Sequence, residues 1–177
     1  MIEIVFGIIS LVWIAEFLFF SSPASEKTER RSFWYIFLAI LVSILFIMWL
    51  DPWTVMAPPV RWAGIVLYGL GVGLRLWGII HLKEQFTRNV SVSEGSHLVS
   101  TGPYRVLRHP LYTGLLSITA GFALSNGSVA GFIIGMLAVG ASLLYRIRLE
   151  EAMLVGQHGN MYVQWCKKRY RLIPFFY

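Results

Sequence analysis

Residues 111–145 read LYTGLLSITAGFALSNGSVAGFIIGMLAVGASLLY, and no charged side chain interrupts them. Two apolar segments, Leu111 to Leu124 and Val129 to Tyr145, are separated only by Ser125-Asn126-Gly127-Ser128. Such a cluster of small polar residues and glycine is a turn signal. The stretch therefore predicts a tight helical hairpin. Three further apolar segments precede it: Ile2 to Phe20, Phe33 to Leu50 and Val60 to Leu82. A bilayer core about 30 Å thick needs ~20 helical residues. The first three segments reach that length. The fourth is shorter, and either extends back through Pro110 or spans a thinned region. The expected fold is an all-α integral membrane protein of about five transmembrane helices. It forms a single membrane domain over residues 1–177, with two spans in residues 1–50 and a third in 60–82.

Composition agrees. Charged residues make up 14% of the chain and apolar residues 56%, whereas a soluble domain is about 25% charged. Lys and Arg total 15 against 9 Asp and Glu. A basic excess suits nucleic acid, anionic headgroups or membrane topology, and the apolar runs select the last two. The first segment has no basic residue before it and no small-x-small cleavage site, so it reads as a retained anchor. Basic residues then alternate between connections. Lys27, Arg30 and Arg31 follow the first span, and Arg61 alone follows the second. Lys83, Arg88, Arg105 and Arg108 follow the third, the hairpin turn has none, and the tail from Arg146 is rich in them. By the positive-inside rule the N-terminus lies outside and the C-terminus in the cytoplasm.

Chemistry must then come from the two long cytoplasmic stretches, Lys83 to Pro110 and Arg146 to Tyr177. The first ends in Gly102-Pro103-Tyr104-Arg105-Val106-Leu107-Arg108-His109-Pro110. Pro110 suits a first helical turn. That leaves Arg108 and His109 beside unpaired backbone N–H groups, a place to hold a carboxylate or a basic cluster at headgroup level. In the second stretch Arg146 and Glu150 are four apart on one helix face. They are either a surface ion pair or contacts for an anion and a cation, the two charges of an amino-acid zwitterion. Leu149 to Arg169 has helical length, with Leu154, Tyr162 and Trp165 as membrane-facing candidates. Arg75 lies inside the third span, where an ionisable residue is either functional or paired locally. Gly69, Gly71 and Gly73 lie in that same span and fit close helix packing rather than a nucleotide loop. The histidines show no metal-ligand spacing. Cys166 is the only cysteine, a small buried side chain or a reactive thiol.

Several of these pieces stand together in a recognisable order. Glu94-Gly95-Ser96-His97-Leu98-Val99 comes first, then Gly102-x-Tyr104 and Arg108-His109-Pro110-x-Tyr112-x-Gly114. After the hairpin come Arg146-x-x-x-Glu150-Glu151, Gly159-x-x-Tyr162 and Arg171-Leu172-x-Pro174. From 86 to 174 the chain resembles the isoprenylcysteine carboxyl methyltransferase family, which is related to membrane phospholipid methyltransferases. The resemblance implies S-adenosyl-L-methionine as cofactor, held in a cytoplasmic pocket formed by the 83–110 loop and the C-terminal helix. It implies cofactor contacts from Ser96, His97, Leu98, Val99, Tyr104, His109, Pro110, Leu111, Tyr112 and Glu150. Arg146 matches a substrate-side arginine, and Arg108 is a second cation able to orient a carboxylate; these are the expected catalytic residues. The family usually carries a histidine where Ser96 aligns, with one residue more before the Gly-x-Tyr, so His97 is displaced by one.

The function implied is methyl transfer to a lipid or lipophilic small molecule that enters from the bilayer. Carboxyl O-methylation is favoured; N-methylation is possible. Membrane lipids are the expected surroundings, with no nucleic acid and no resident metal. The acceptor atom and the oligomeric state stay open. A non-enzymatic lipid-binding membrane module is the alternative of a different class, and a membrane reductase with a similar pocket is a third reading that the short chain disfavours.

Overall fold

The computed structural model describes residues 2–19, 27–50, 56–82 and 98–174. Among these the chain is helical apart from turns and one isolated bridge. The helices are α1 Ile2–Phe19, α2 Lys27–Leu50, α3 Pro58–Leu82, α4 Pro110–Ser125, α5 Val129–His158 and α6 Asn160–Cys166, with a 3-10 turn at Gly102–Arg105. Prolines open both α3 and α4, where a missing N–H costs no helical hydrogen bond. The hairpin turn between α4 and α5 is as tight as the sequence implies. Gly127 takes a positive φ of 78°, its N–H reaches the Leu124 carbonyl at 3.0 Å, and the Ser128 N–H reaches that of Ala123 at 3.1 Å. The Ser128 hydroxyl then accepts from the Gly131 N–H at 3.0 Å and caps α5, satisfying a donor that the first turn leaves open.

Helix contacts run α1 with α3, α3 with α4, α4 with α5, and α5 with α2, and the α3–α4 pair is the tightest. Glycine spacing explains that pair. Gly64, Gly71 and Gly78 recur every seven residues on α3, as do Gly114 and Gly121 on α4. A Cβ on Gly71 would lie 2.7 Å from the Gly114 carbonyl oxygen, and one on Gly114 would lie 2.8 Å from that of Gly71. A Cβ on Gly64 would meet the Ser125 backbone nitrogen at 2.5 Å, and one on Gly121 would strike the Tyr68 backbone. Small residues thus let the two backbones touch, the packing mode favoured where lipid removes the hydrophobic drive between helices. Of the three glycines noted in the sequence only Gly71 does this. Gly69 faces Ile9, and Gly73 faces open space.

On the other side of α4, Ile36, Leu115, Val139 and Leu143 form a core joining α2, α4 and α5. Tyr68, Val72 and Ile118 form a second core, and Trp13 of α1 packs against both.

Among the described residues α3 and α5 are long and apolar enough to cross a bilayer, whereas α4 is a shorter apolar helix. Five long helices thus coincide with the five apolar segments, and α4 does begin at Pro110. The helix does not end with the apolar segment at Tyr145. Arg146 to Leu149 holds no helix breaker, so α5 continues unbroken to His158, and Gly159, at φ 55°, ends it. The separate tail helix is only α6, which stops at Cys166 rather than Arg169.

Candidate functional site

The site lies where the residues leading into α4 meet the end of α5 and the chain after α6. Gly102 has φ 55°, and a Cβ there would press on the His81 ring at 2.5–2.6 Å. This glycine lets the 3-10 turn close over α3. His81 Nδ1 donates to the Trp77 carbonyl, 2.8 Å away. The turn buries Tyr104 over Gly78, where a Cβ would lie 3.6 Å from the Tyr104 hydroxyl. Burial pushes the Tyr104 phenol above its ordinary range, the nearby Glu150 and Tyr112 push it further, and Arg75 opposes them.

A strap of backbone bonds ties this segment to the C-terminus. Leu107 and Tyr170 form a parallel bridge. The Tyr170 N–H donates to the Val106 carbonyl at 2.9 Å, the Arg108 N–H to that of Tyr170 at 2.8 Å, and the His109 N–H to that of Arg171 at 3.3 Å. Side chains reinforce it. Arg169 donates to the Tyr104 carbonyl at 2.6 Å and lies 4.3 Å above the Trp165 ring. Trp165 donates to the Ser100 hydroxyl at 2.9 Å. Trp165 therefore faces this segment rather than lipid. Tyr162 is buried and stacks on Trp165 with centroids 5.7 Å apart. The Arg169 guanidinium is a favourable partner for the Trp165 face, and Tyr162 packs on the same ring. Burial pushes the Cys166 thiol above its ordinary range, and the nearby Arg108 and Arg171 oppose it.

Glu151 is the hub of the strap. Its carboxylate accepts from His109 Nε2 at 3.2 Å, from Arg108 Nη1 at 3.5 Å, from Arg171 Nε at 3.2 Å and closely from Arg171 Nη2. Burial opposes its ionisation, but the hydrogen bonds and charges of His109 and Arg171 hold its pKa at about 2. Arg108 also donates to the carbonyls of Arg169 and Cys166, both at 3.0 Å. Its guanidinium is thereby engaged in holding the strap.

One helical step away Glu150 has a different setting. Its side chain is 31% exposed. The Tyr112 hydroxyl donates to it at 2.8 Å and accepts from Arg146 Nε at 2.8 Å. Tyr112 thus joins the two charges that share a helix face. His109 Nδ1 lies 3.8 Å from Glu150, and the His109 ring stacks on Tyr112 at 5.6 Å and 19°. His109 and Arg146 are both buried.

Of the residues expected from the sequence, Tyr104, Arg108, His109, Pro110, Leu111, Tyr112, Arg146 and Glu150 converge on one end of α3, α4 and α5. Leu98 and Val99 lie at the near end of the loop, partly exposed. Ser96 and His97 lie outside the described residues, as does most of the 83–110 loop. Sequence reasoning missed the clamp of Glu151 on Arg171. In the basic tail, Arg171 turns to the Glu151 carboxylate and Arg169 to backbone carbonyls, whereas Lys167 and Lys168 stay exposed.

Residues 60–161 match the phospholipid methyltransferase family. Among curated relatives, the chain is 29% identical to protein-S-isoprenylcysteine O-methyltransferase B of Arabidopsis thaliana over 63% of this chain and 58% of that one. It is 24% identical to a methanethiol S-methyltransferase of a Pseudomonas species over 83% of this chain and 60% of that one. The chain thus spans about three fifths of the length of these relatives. The fold resembles that of the eukaryotic intramembrane Ras methyltransferase, an isoprenylcysteine carboxyl methyltransferase, with a TM-score of 0.59 and 22% identity over 86% of this chain and 54% of that one. Since the matched residues make up more than half of its 177, the chain belongs to the phospholipid methyltransferase family.

Proposed function

We propose that this protein is an integral membrane methyltransferase that uses S-adenosyl-L-methionine to methylate a carboxylate on a lipophilic acceptor. The observation that carries the reading is the Arg146–Tyr112–Glu150 chain, which places a buried cation and a partly exposed carboxylate on two sides of one tyrosine. Glu150 suits the cofactor's ammonium group, and the stacked faces of His109 and Tyr112 suit its sulfonium. When bound, that sulfonium supplies an activated methyl group. The chain then has to align the acceptor and exclude water. Arg146 orients the acceptor, and Arg108, with Glu151, holds the wall that carries His109. Leu98, Val99, Tyr104, Pro110 and Leu111 complete the cofactor side.

Two acidic groups of the site are poorly suited to take a proton from an acceptor. Glu151, held at about 2, is too weak a base to take a proton, and the Tyr104 phenol is pushed up rather than poised to ionise. An amine, phenol or thiol needs a general base matched to the working pH, whereas a carboxylate needs only orientation. In this reading the five long helices span the bilayer with the N-terminus outside. The acceptor arrives laterally, the cofactor arrives from the cytoplasm, and residues 86–174 are the functional core.

Two measurements test the proposal. Calorimetry should show S-adenosylmethionine binding that weakens by tenfold or more in Glu150→Gln, since a charged hydrogen bond contributes roughly 1.5–3 kcal/mol. Incubation of the protein with membrane extract and methyl-labelled cofactor should give a lipid-phase product whose label alkali releases, as it does from an ester. An alkali-stable label would move the acceptor to nitrogen or sulfur, and NADPH binding in place of S-adenosylmethionine would make the protein a reductase. No binding of either would leave a lipid-binding module.

A further inference from the structure

The family match begins at residue 60, so α1 lies outside it. Yet α1 carries a buried acid, Glu16, opposite an arginine on α3. Arg75 Nε donates to Glu16 Oε2 at 3.0 Å and Nη2 to Oε1 at 2.5 Å, a two-bond fork. The side chains are 16% and 2% exposed. Charged residues at such depth are costly and are retained where they do something specific. The rest of α1 docks without charge. Phe6 stacks on Tyr68 at 5.0 Å, Trp13 meets the same ring edge-on at 6.3 Å, and the Ser10 hydroxyl lies 3.1 Å from that of Tyr68. Glu16 is not needed merely to bring α1 to α3.

What the fork adds is a third contact. Arg75 Nη1 points at the Leu111 carbonyl, 3.4 Å away, in the first turn of α4. The stem of Arg75 lies across Gly114, where a Cβ would meet its Cγ at 2.6 Å. On the same face Leu111 fills the space over Gly78, where a Cβ would meet its Cδ2 at 2.7 Å. Arg75 therefore touches α4 at two points one turn apart, and Glu16 fixes its rotamer. That same turn holds His109, Pro110 and Tyr112.

We propose that Glu16 and Arg75 are a positioning pair that sets the first turn of α4, so that α1 takes part in shaping the site. The idea rests on the cofactor role proposed above for that turn, but it is testable without cofactor. Full-length protein in nanodiscs is compared with Glu16→Gln, Arg75→Lys and the exchanged pair Glu16→Arg with Arg75→Glu. Glu16→Gln should speed hydrogen exchange over residues 108–116 about tenfold and leave residues 122–131 at the far end of α4 unchanged. Arg75→Lys keeps the charge but not the fork, and should lie between. The exchanged pair restores the ion pair, yet glutamate at 75 has no proton to offer the Leu111 carbonyl. It should restore the thermal midpoint that the single variants lose without restoring slow exchange at 108–116. S-adenosylmethionine affinity, where binding is present, should follow the exchange data and not the midpoint. Unchanged exchange at 108–116 in Glu16→Gln overturns the proposal, and so does recovery of midpoint and exchange together, which marks a purely structural bridge. A chain that binds no S-adenosylmethionine removes the proposed function, while the exchange data still judge the pair.

Discussion

The α3–α4 seam and the Glu151 strap hold the same helix, α4, in opposite ways. Along the seam, contact depends on side chains that are missing: Gly64, Gly71, Gly114 and Gly121 bring backbone against backbone. In the strap, contact depends on the longest polar side chains in the chain, gathered on one carboxylate. The seam tolerates no added atom and is indifferent to pH. The strap depends on the charge of the Glu151 carboxylate. A helix held by both has its axis fixed by packing and its N-terminal end fixed by electrostatics.

The sharpest way to break the comparison is to add bulk to the seam. Gly121→Leu drives a side chain into the Tyr68 backbone, and no folded protein should be recovered from detergent extracts. Gly73→Leu, into open space on the same α3, should fold with an unchanged thermal midpoint. Equal yields from the two would show that the seam is not what holds α4. Next in size is the loss of function on the polar side. Arg146→Ala should lower methyl transfer by about 100-fold, because a misplaced acceptor forfeits reactive geometry, while cofactor affinity stays near that of the parent. The exposed Arg148 serves as the control; equal losses at 146 and 148 would reduce the effect to surface charge.

A smaller effect separates strap from seam. Glu151→Gln leaves Arg108 and Arg171 without their carboxylate and should destabilise the strap by roughly 2 kcal/mol, read as faster hydrogen exchange at residues 168–174. Exchange across 114–122 on the seam should not move. The smallest effect is the pH dependence. Glu151 has a folded pKa depressed from 4.5 to about 2, so its contribution is present in full above about 4.5 and is lost as pH falls toward 2. Strap protection, corrected for the intrinsic pH dependence of exchange, should decline as pH falls from about 4.5 toward 2. In Glu151→Gln that decline should vanish.

The two regions also differ in how much of them the sequence discloses. Apolar length and the Ser125–Ser128 turn gave the helices and the hairpin, because both are local properties of the chain. The seven-residue glycine spacing was equally readable, whereas of the nearer Gly69-x-Gly71-x-Gly73 run only Gly71 lies on the seam. The strap was not readable in this way. His109 meets Glu151 across 42 residues and Arg108 meets Cys166 across 58, and no periodicity encodes such pairs. The residues were found as motif pieces, but their division of labour was not. Arg108 and Arg146 look alike in sequence, and only the structure separates an arginine engaged by carbonyls and Glu151 from one that shares a tyrosine with Glu150. The same holds for Glu16 and Arg75, which lie 59 positions apart and whose pairing only the packing of α1 on α3 reveals.

The unbroken course of α5 past Tyr145 has a consequence for how the protein measures the membrane. Helical rise places Glu150 about 6 Å beyond Arg146 along one rigid axis. Any tilt or sliding of α5 in response to bilayer thickness carries Arg146 and Glu150, the proposed acceptor and cofactor contacts, together at constant separation. The helix works as a depth gauge with two marks. Under the proposed function, a thicker or thinner bilayer changes how far an acceptor's polar end must travel to reach the first mark, and it does not change the separation of the two marks. Lipid composition should therefore govern which acceptors reach the site rather than how fast an aligned one reacts.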